Sequence, residues 1–263
     1  SRQYVDLDIL VDKKDLEKAS KILLENKYNS TDSVELLKNK DYLKKDNDFS
    51  FFSTNSIHIE IHWKLFREKI GNNIDIKDYK NNIFINNNKI MTLSFEVLFV
   101  YLCLHGSKHV WERLEWILDI DRLIRFNNNT NWNKIIKLAK EMNCEISLHL
   151  GLNLSREVFK TKYPSQIELL IDTPQIKKLS QKTIYFIQNN FVLEENYKKY
   201  QEVNLFQLGL INSKRDKLRH IIFTYFSITK NDYLSFPLHS YLHFLHYFIK
   251  PFRVLIKVLV RGK

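Results

Sequence analysis

Tyr4-Val5-Asp6-Leu7-Asp8-Ile9-Leu10-Val11 alternates as an extended strand does. Side chains two residues apart point to one face, so Asp6 and Asp8 share a face while Val5, Leu7, Ile9 and Val11 are expected to fill the other. Two carboxylates held about 7 Å apart on a strand can each give oxygen ligands to a hard divalent cation such as Mg²⁺, which takes a few carboxylates together with substrate phosphates. Any half-exposed strand can also carry two aspartates on its wet side. The meaning of the pair therefore depends on what else reaches that face.

Moving outward, Asp12 can cap a helix with Asp15 near the box position, and Leu16, Ala19, Ile22 and Leu23 form an apolar stripe at helical spacing. Residues 28–50 read as polar and irregular, with a short helical piece around Ser33 to Lys38. Ile57-His58-Ile59-Glu60-Ile61-His62-Trp63 then alternates without a fault, which predicts a strand with Ile57, Ile59, Ile61 and Trp63 toward a core and His58, Glu60 and His62 on the opposite side. A hairpin is expected over 83–92, turning at Asn86-Asn87-Asn88, with Thr92 or Ser94 capping the helical run that follows. That run extends from Ser94 to Arg125, with Gly106-Ser107 as a candidate interruption and Asn127-Asn128-Asn129 as its end. Helices are predicted at 131–142, 144–159, 164–171, 174–190, 194–208, 213–228 and 237–260, with Pro174 and Pro237 at first-turn positions. The resulting fold class is α+β: a small mixed β-sheet core with helices over residues 1–92, followed by an all-helical region over 93–263 that is expected to pack against it.

The composition supports a real core, with 263 residues of which 44% are hydrophobic. A net charge of +11 favours anionic partners such as nucleotides, nucleic acid or an acidic membrane surface. The basic residues are spread along the chain with no zinc-finger spacing or aromatic RNA-binding signature, so dedicated nucleic-acid recognition is set aside. Cys103 and Cys144 are the only cysteines and form no C-x-x-C pair, which points to a cytoplasmic setting. No uninterrupted apolar span of membrane length is visible. The run from Phe236 to Lys263 joins aromatic residues to Lys250, Arg253, Lys257, Arg261 and Lys263. It reads either as a helix closing the helical region or as a basic amphipathic surface for peripheral membrane contact.

Glu60 bears directly on the aspartate pair, and spacing alone allows two readings of it: an ordinary outward-facing strand residue, or the third member of an acidic cluster. If its strand lies beside the first, three carboxylates converge on one face, enough to hold two Mg²⁺ ions about 4 Å apart for in-line phosphoryl transfer. His58, Glu60 and His62 also resemble three strand-borne zinc ligands, but no further His or Cys follows at a spacing that completes a zinc site. A second constellation, Leu102-Cys103-Leu104-His105-Gly106-Ser107-Lys108-His109, sets His105, Lys108 and His109 within one helical turn. That face suits a triphosphate or an acceptor, or it is a helix junction with hydrogen-bonded histidines.

Together, Asp6-Leu7-Asp8-Ile9-Leu10-Val11, Ile59-Glu60-Ile61-His62-Trp63, Leu104-His105-Gly106-Ser107-Lys108-His109 and Trp116-Ile117-Leu118-Asp119 resemble the uncharacterised bacterial nucleotidyltransferase family of the polymerase-β-like superfamily, over roughly residues 4 to 160. The resemblance implies a nucleotidyltransferase core in which Asp6, Asp8 and Glu60 hold Mg²⁺ or Mn²⁺, with a nucleoside triphosphate as donor. A hydroxyl of a small molecule, sugar, peptide or protein would be the acceptor. Arg2, His62, His105, Lys108 and His109 would contact nucleotide or acceptor. Superfamily members place a helix and a phosphate-cradling Gly-Ser turn before the acidic strand, and Ser1 lies only five residues ahead of Asp6. On the resemblance, the chain is expected either to lack an N-terminal portion or to be a catalytically inactive, transferase-like module that binds a protein partner or an anionic surface.

Overall fold

Strands β1 (Asp6–Leu10), β2 (Asn29–Ser30), β3 (Asp48–Phe52) and β4 (His58–His62) form a mixed sheet in the order β1-β4-β3-β2. The computed structural model describes residues 6–30, 32–38, 42–43, 46–53, 57–65, 80–127, 129–189, 197–226, 245–250 and 252. Strand β1 runs parallel to β4, while β3 is antiparallel to both β4 and β2. The chain divides into two compact units, residues 1–101 with 131–143 and residues 102–130 with 144–263.

In the first unit, helix α1 (Leu16–Glu25) supplies the crossover that a parallel β1–β4 pair requires. Three residues of its stripe pack as the periodicity predicts, with Leu16 buried and Ala19 and Leu23 set against Phe49, Phe51, Ile61 and Trp63, whereas Ile22 is 49% exposed. A 3-10 turn at Lys13–Asp15 precedes the helix, and neither Asp12 nor Asp15 makes a side-chain cap. Strand β3 falls in a stretch read as irregular, yet its Phe49 and Phe51 are among the most buried side chains. Three residues expected in the core lie outside it: Ile57 precedes β4 and is 51% exposed, and Leu7 and Ile9 are 55% and 37% exposed. The cause is position, because β1 is an edge strand among the described residues and the α1 stripe centres on β3 and β4.

Strands β5 (Lys80–Ile85) and β6 (Asn88–Leu93) form a separate hairpin. Asn86 and Asn87 both have positive φ, 49° and 65°. Two such residues make the tight hairpin turn that asparagine tolerates best among side-chain-bearing residues. Helix α2 (Phe95–Lys108) follows and begins in this unit. There it meets α4 (Trp132–Glu141), through an edge-on contact of Phe99 with Trp132 and an ion pair of Lys134 with Glu96 at 3.1 Å.

The second unit is helical, with α3 (Leu114–Phe126), α5 (Glu145–Phe159), α6 (Ser165–Ile171), α7 (Pro174–Gln188), α8 (Tyr197–Gly209) and α9 (Lys214–Phe226). Nearly all of α5 is buried, and α3, α6 and α7 pack on it. Gly106-Ser107 does not interrupt α2; the chain turns later, at Val110 and Trp111, whose φ values are 51° and 55°. The fully buried Trp111 indole folds back over Gly106, where an added Cβ would stand 2.5 Å from the ring, and its Nε1 donates to Ser107 Oγ at 3.3 Å. Gln207 Nε2 donates to the carbonyls of Ser107 and Lys108, closing the C-terminal end of α2. Among the described residues no helix is long and apolar enough to cross a membrane. Most of the basic C-terminal run, 236–244, 251 and 253–263, lies outside the described residues.

Candidate functional site

The parallel register places Asp8 opposite Glu60 and Asp6 opposite His58. Residues paired in register point to one side of a sheet, so the alternation of both strands gathers Asp6, Asp8, His58, Glu60 and His62 on a single face. Strand β3 adds Ser50, which donates to Glu60 Oε1 at 3.4 Å, and Asp48 opposite His62. The opposite face of β3 and β4 carries Phe49, Phe51, Ile59 and Ile61, all buried. The sheet therefore has a dry side that fixes it and a polar side free for chemistry.

Two triads share this face. Donor atoms of Asp6, His58 and Glu60 lie within 4.8 Å of one another, and so do those of Asp8, Glu60 and His62. His62 Nε2 stands 3.2 Å from Asp8 Oδ1 and 3.4 Å from Glu60 Oε2. His58 Nε2 stands 3.5 Å from Glu60 Oε1. It is shielded from solvent and finds no hydrogen-bond partner among the described residues. A buried donor atom without a hydrogen bond, facing a carboxylate, is what a bound cation would satisfy. The residues present fit a divalent cation on this observation.

Neighbouring groups hold the face in place. Phe52 stacks on His58 with ring centroids 4.3 Å apart and planes 12° from parallel, and Asn47 Nδ2 lies 3.4 Å from His62 Nδ1. Tyr101, on α2, shares a side-chain hydrogen bond with Asp8. Its burial, followed by the charges of Asp8, Glu60 and Asp6, raises its pKa, so the phenol stays protonated and donates. Sequence reasoning missed Tyr101 because it sits in an apolar helical run where nothing local marks it. Asn47 precedes, and Phe52 ends, a strand that was itself not predicted; the alternation of Phe49 and Phe51 was the available signal.

The electrostatics follow from these pairings. Glu60 is held below the usual carboxylate range, first by its hydrogen bond with His62 and against the opposing effect of burial. Burial alone would lower the His62 pKa, but hydrogen bonds to Asp8 and Glu60 outweigh it and raise the value to about 9. His62 thus stabilises the folded, metal-free protein fully below its ordinary value of 6.5, and that contribution is lost as pH rises through about 9. The Glu60 contribution has the opposite sign, present above its ordinary 4.5 and lost as pH falls. In chelator, the melting-temperature advantage of wild type over His62→Gln should therefore shrink between pH 6.5 and 9. An advantage that stays constant or grows over that range would refute the pairing.

His105, Lys108 and His109 belong to the second unit. The two imidazoles are 4.8 Å apart and pack on Trp116, at 5.2 Å and 5.5 Å, while Lys108 is exposed. Arg2 lies outside the described residues.

Among known proteins, the model of a family described as an uncharacterised nucleotidyltransferase matches residues 1–160, a span that includes both triads and the His105–His109 segment. No curated protein and no solved structure matches the chain.

Proposed function

The chain belongs to the uncharacterised nucleotidyltransferase family, and from that premise we propose that it moves a nucleoside monophosphate from a nucleoside triphosphate to a hydroxyl of an acceptor, in a divalent-metal-dependent reaction. The observation that carries this reading is the β1–β4 register, which brings Asp6, Asp8 and Glu60 to one face. Asp6, Asp8 and Glu60 would hold the metal. Bound there, divalent ions would offset the charge of the triphosphate and ease ionisation of the attacking hydroxyl.

In the proposed step the acceptor oxygen forms a bond to the α-phosphorus, the bond from that phosphorus to its bridging oxygen breaks, and pyrophosphate leaves with the electron pair. A carboxylate whose pKa is lowered is a poor proton acceptor, which favours Glu60 as a ligand over Glu60 as a base. The hydroxyl proton then passes to solvent. Tyr101 serves by holding Asp8. Losing such a supporting hydrogen bond typically costs about 10–100-fold in metal affinity or activity, so Tyr101→Phe should weaken metal binding by about tenfold while the melting temperature stays nearly unchanged. Equal metal affinities in wild type and Tyr101→Phe would remove Tyr101 from this role. Two free, buried cysteines accord with a reducing, cytoplasmic setting in which nucleoside triphosphates abound.

Calorimetric titration with Mg²⁺ and a nonhydrolysable nucleoside triphosphate tests the reading, with the Asp6→Asn/Asp8→Asn double variant as control. Binding by wild type and not by the variant is expected. No binding by wild type would overturn it and favour an interaction module without catalysis.

A further inference from the structure

Each oxygen of Glu60 faces a different imidazole, Oε1 toward His58 at 3.5 Å and Oε2 toward His62 at 3.4 Å, and each imidazole is grouped with one aspartate of β1. We propose that His58 and His62 are themselves metal ligands, so that the face holds two adjacent carboxylate–imidazole sites bridged by Glu60 that select a divalent transition metal over Mg²⁺. The inference rests on the reading of this face as the transfer site, whose carboxylates it shares.

The spacing supports it. Ligands at about 2.1 Å from a metal ion stand about 3.4 Å apart at the corners of a tetrahedron and about 3.0 Å apart along an octahedral edge. The three imidazole–carboxylate separations, 3.2, 3.4 and 3.5 Å, fall mostly at the tetrahedral value. The two separations to Glu60 exceed the usual length of an N–H···O hydrogen bond, about 2.7–3.2 Å, and leave room for an ion between the groups. His58 makes the stronger case, because its Nε2 is buried without a hydrogen bond among the described residues while Phe52 fixes its ring plane.

Ligand chemistry sets the preference. Mg²⁺ is held mostly by oxygen and keeps much of its water, whereas imidazole suits the later transition metals, with affinity rising from Mn²⁺ to Cu²⁺ and falling again at Zn²⁺. The β4 sequence alone does not complete a zinc site. The completing ligands come instead from Asp6 and Asp8, on the parallel neighbour.

Electron spin-echo modulation of Mn²⁺ bound to the wild-type chain tests the proposal without any variant. Modulation from a directly bound imidazole nitrogen is expected, and its absence overturns the proposal. Calorimetry then compares Mn²⁺ and Co²⁺ with Mg²⁺ in wild type, His58→Gln and His62→Gln, with circular dichroism as the check on folding. Transition ions should bind wild type at least tenfold more tightly than Mg²⁺, and each histidine variant should lose most of that gap. A missing preference, or one that survives in both variants, overturns the proposal. If Mn²⁺ and Co²⁺ bind wild type no more tightly than Mg²⁺ while Mg²⁺ supports nucleotide binding and transfer, the ligand assignment falls and the transfer reading stands. If the metal preference holds but no nucleoside triphosphate binds with any ion, the transfer reading falls and the metal sites stand.

Discussion

Glu60→Gln is expected to reduce metal-dependent nucleotidyl transfer by on the order of 10³-fold while leaving the fold intact. Glu60 is the one residue that belongs to both triads, so Gln removes the negative charge both share and turns one of its two ligand oxygens into a nitrogen that does not coordinate. Charge stabilisation by a bound metal is worth several kcal/mol, and each ~1.4 kcal/mol is a factor of ten in rate, so losing about 4 kcal/mol gives the stated figure. Gln preserves the shape that Ser50 contacts. The melting temperature should therefore change little in metal-free buffer, apart from the lost partner of His62. By contrast, Asp6→Asn touches one triad alone and should be the milder change. Pyrophosphate release measured on both variants decides the matter. Transfer by Glu60→Gln within tenfold of wild type would place the chemistry elsewhere.

Gly106→Ala should destabilise the helical unit by about 3 kcal/mol, at the upper end of the usual range for overpacking. An added methyl would stand 2.5–2.6 Å from three carbons of the Trp111 ring, well inside contact distance. Trp111 cannot step aside cheaply. It is fully buried, lies against Gly151 on its far edge, and occupies a left-handed backbone conformation next to Val110, which does the same. Two side-chain-bearing residues in that region cost on the order of 1–3 kcal/mol each, which the Trp111 packing offsets. A melting-temperature drop of roughly 10 °C is expected, and an unchanged value would show that the turn can repack.

These two residues also mark what could be read from sequence. Glu60 and the aspartates were legible because alternation with period two assigns faces without knowledge of any partner, and only the pairing of β1 with β4 had to be supplied by the structure. The Asn86-Asn87 turn was legible for a local reason, since its chemistry is contained in two residues. Gly106 was legible as unusual but not in its cause. Its neighbour is an indole brought back by two positive φ angles, which no residue pattern announces. Strand β3 was hidden because its five residues follow a polar stretch, and the exposure of Leu7 and Ile9 depends on strand order, which alternation does not encode. Tyr101 and the grouping of each imidazole with an aspartate are products of tertiary contact alone.

The β1–β4 pairing gives this face a property of parity. A slip of β1 by one residue would carry both aspartates to the apolar side, whereas a slip of two would return a carboxylate to the same side opposite a different residue of β4. The number of residues between Asp8 and Glu60 is then of little consequence to the chemistry. Insertions in the intervening connections can be absorbed, while a single residue added between Asp6 and Asp8 turns one aspartate away from its triad, and one added between His58 and Glu60 breaks both triads at once.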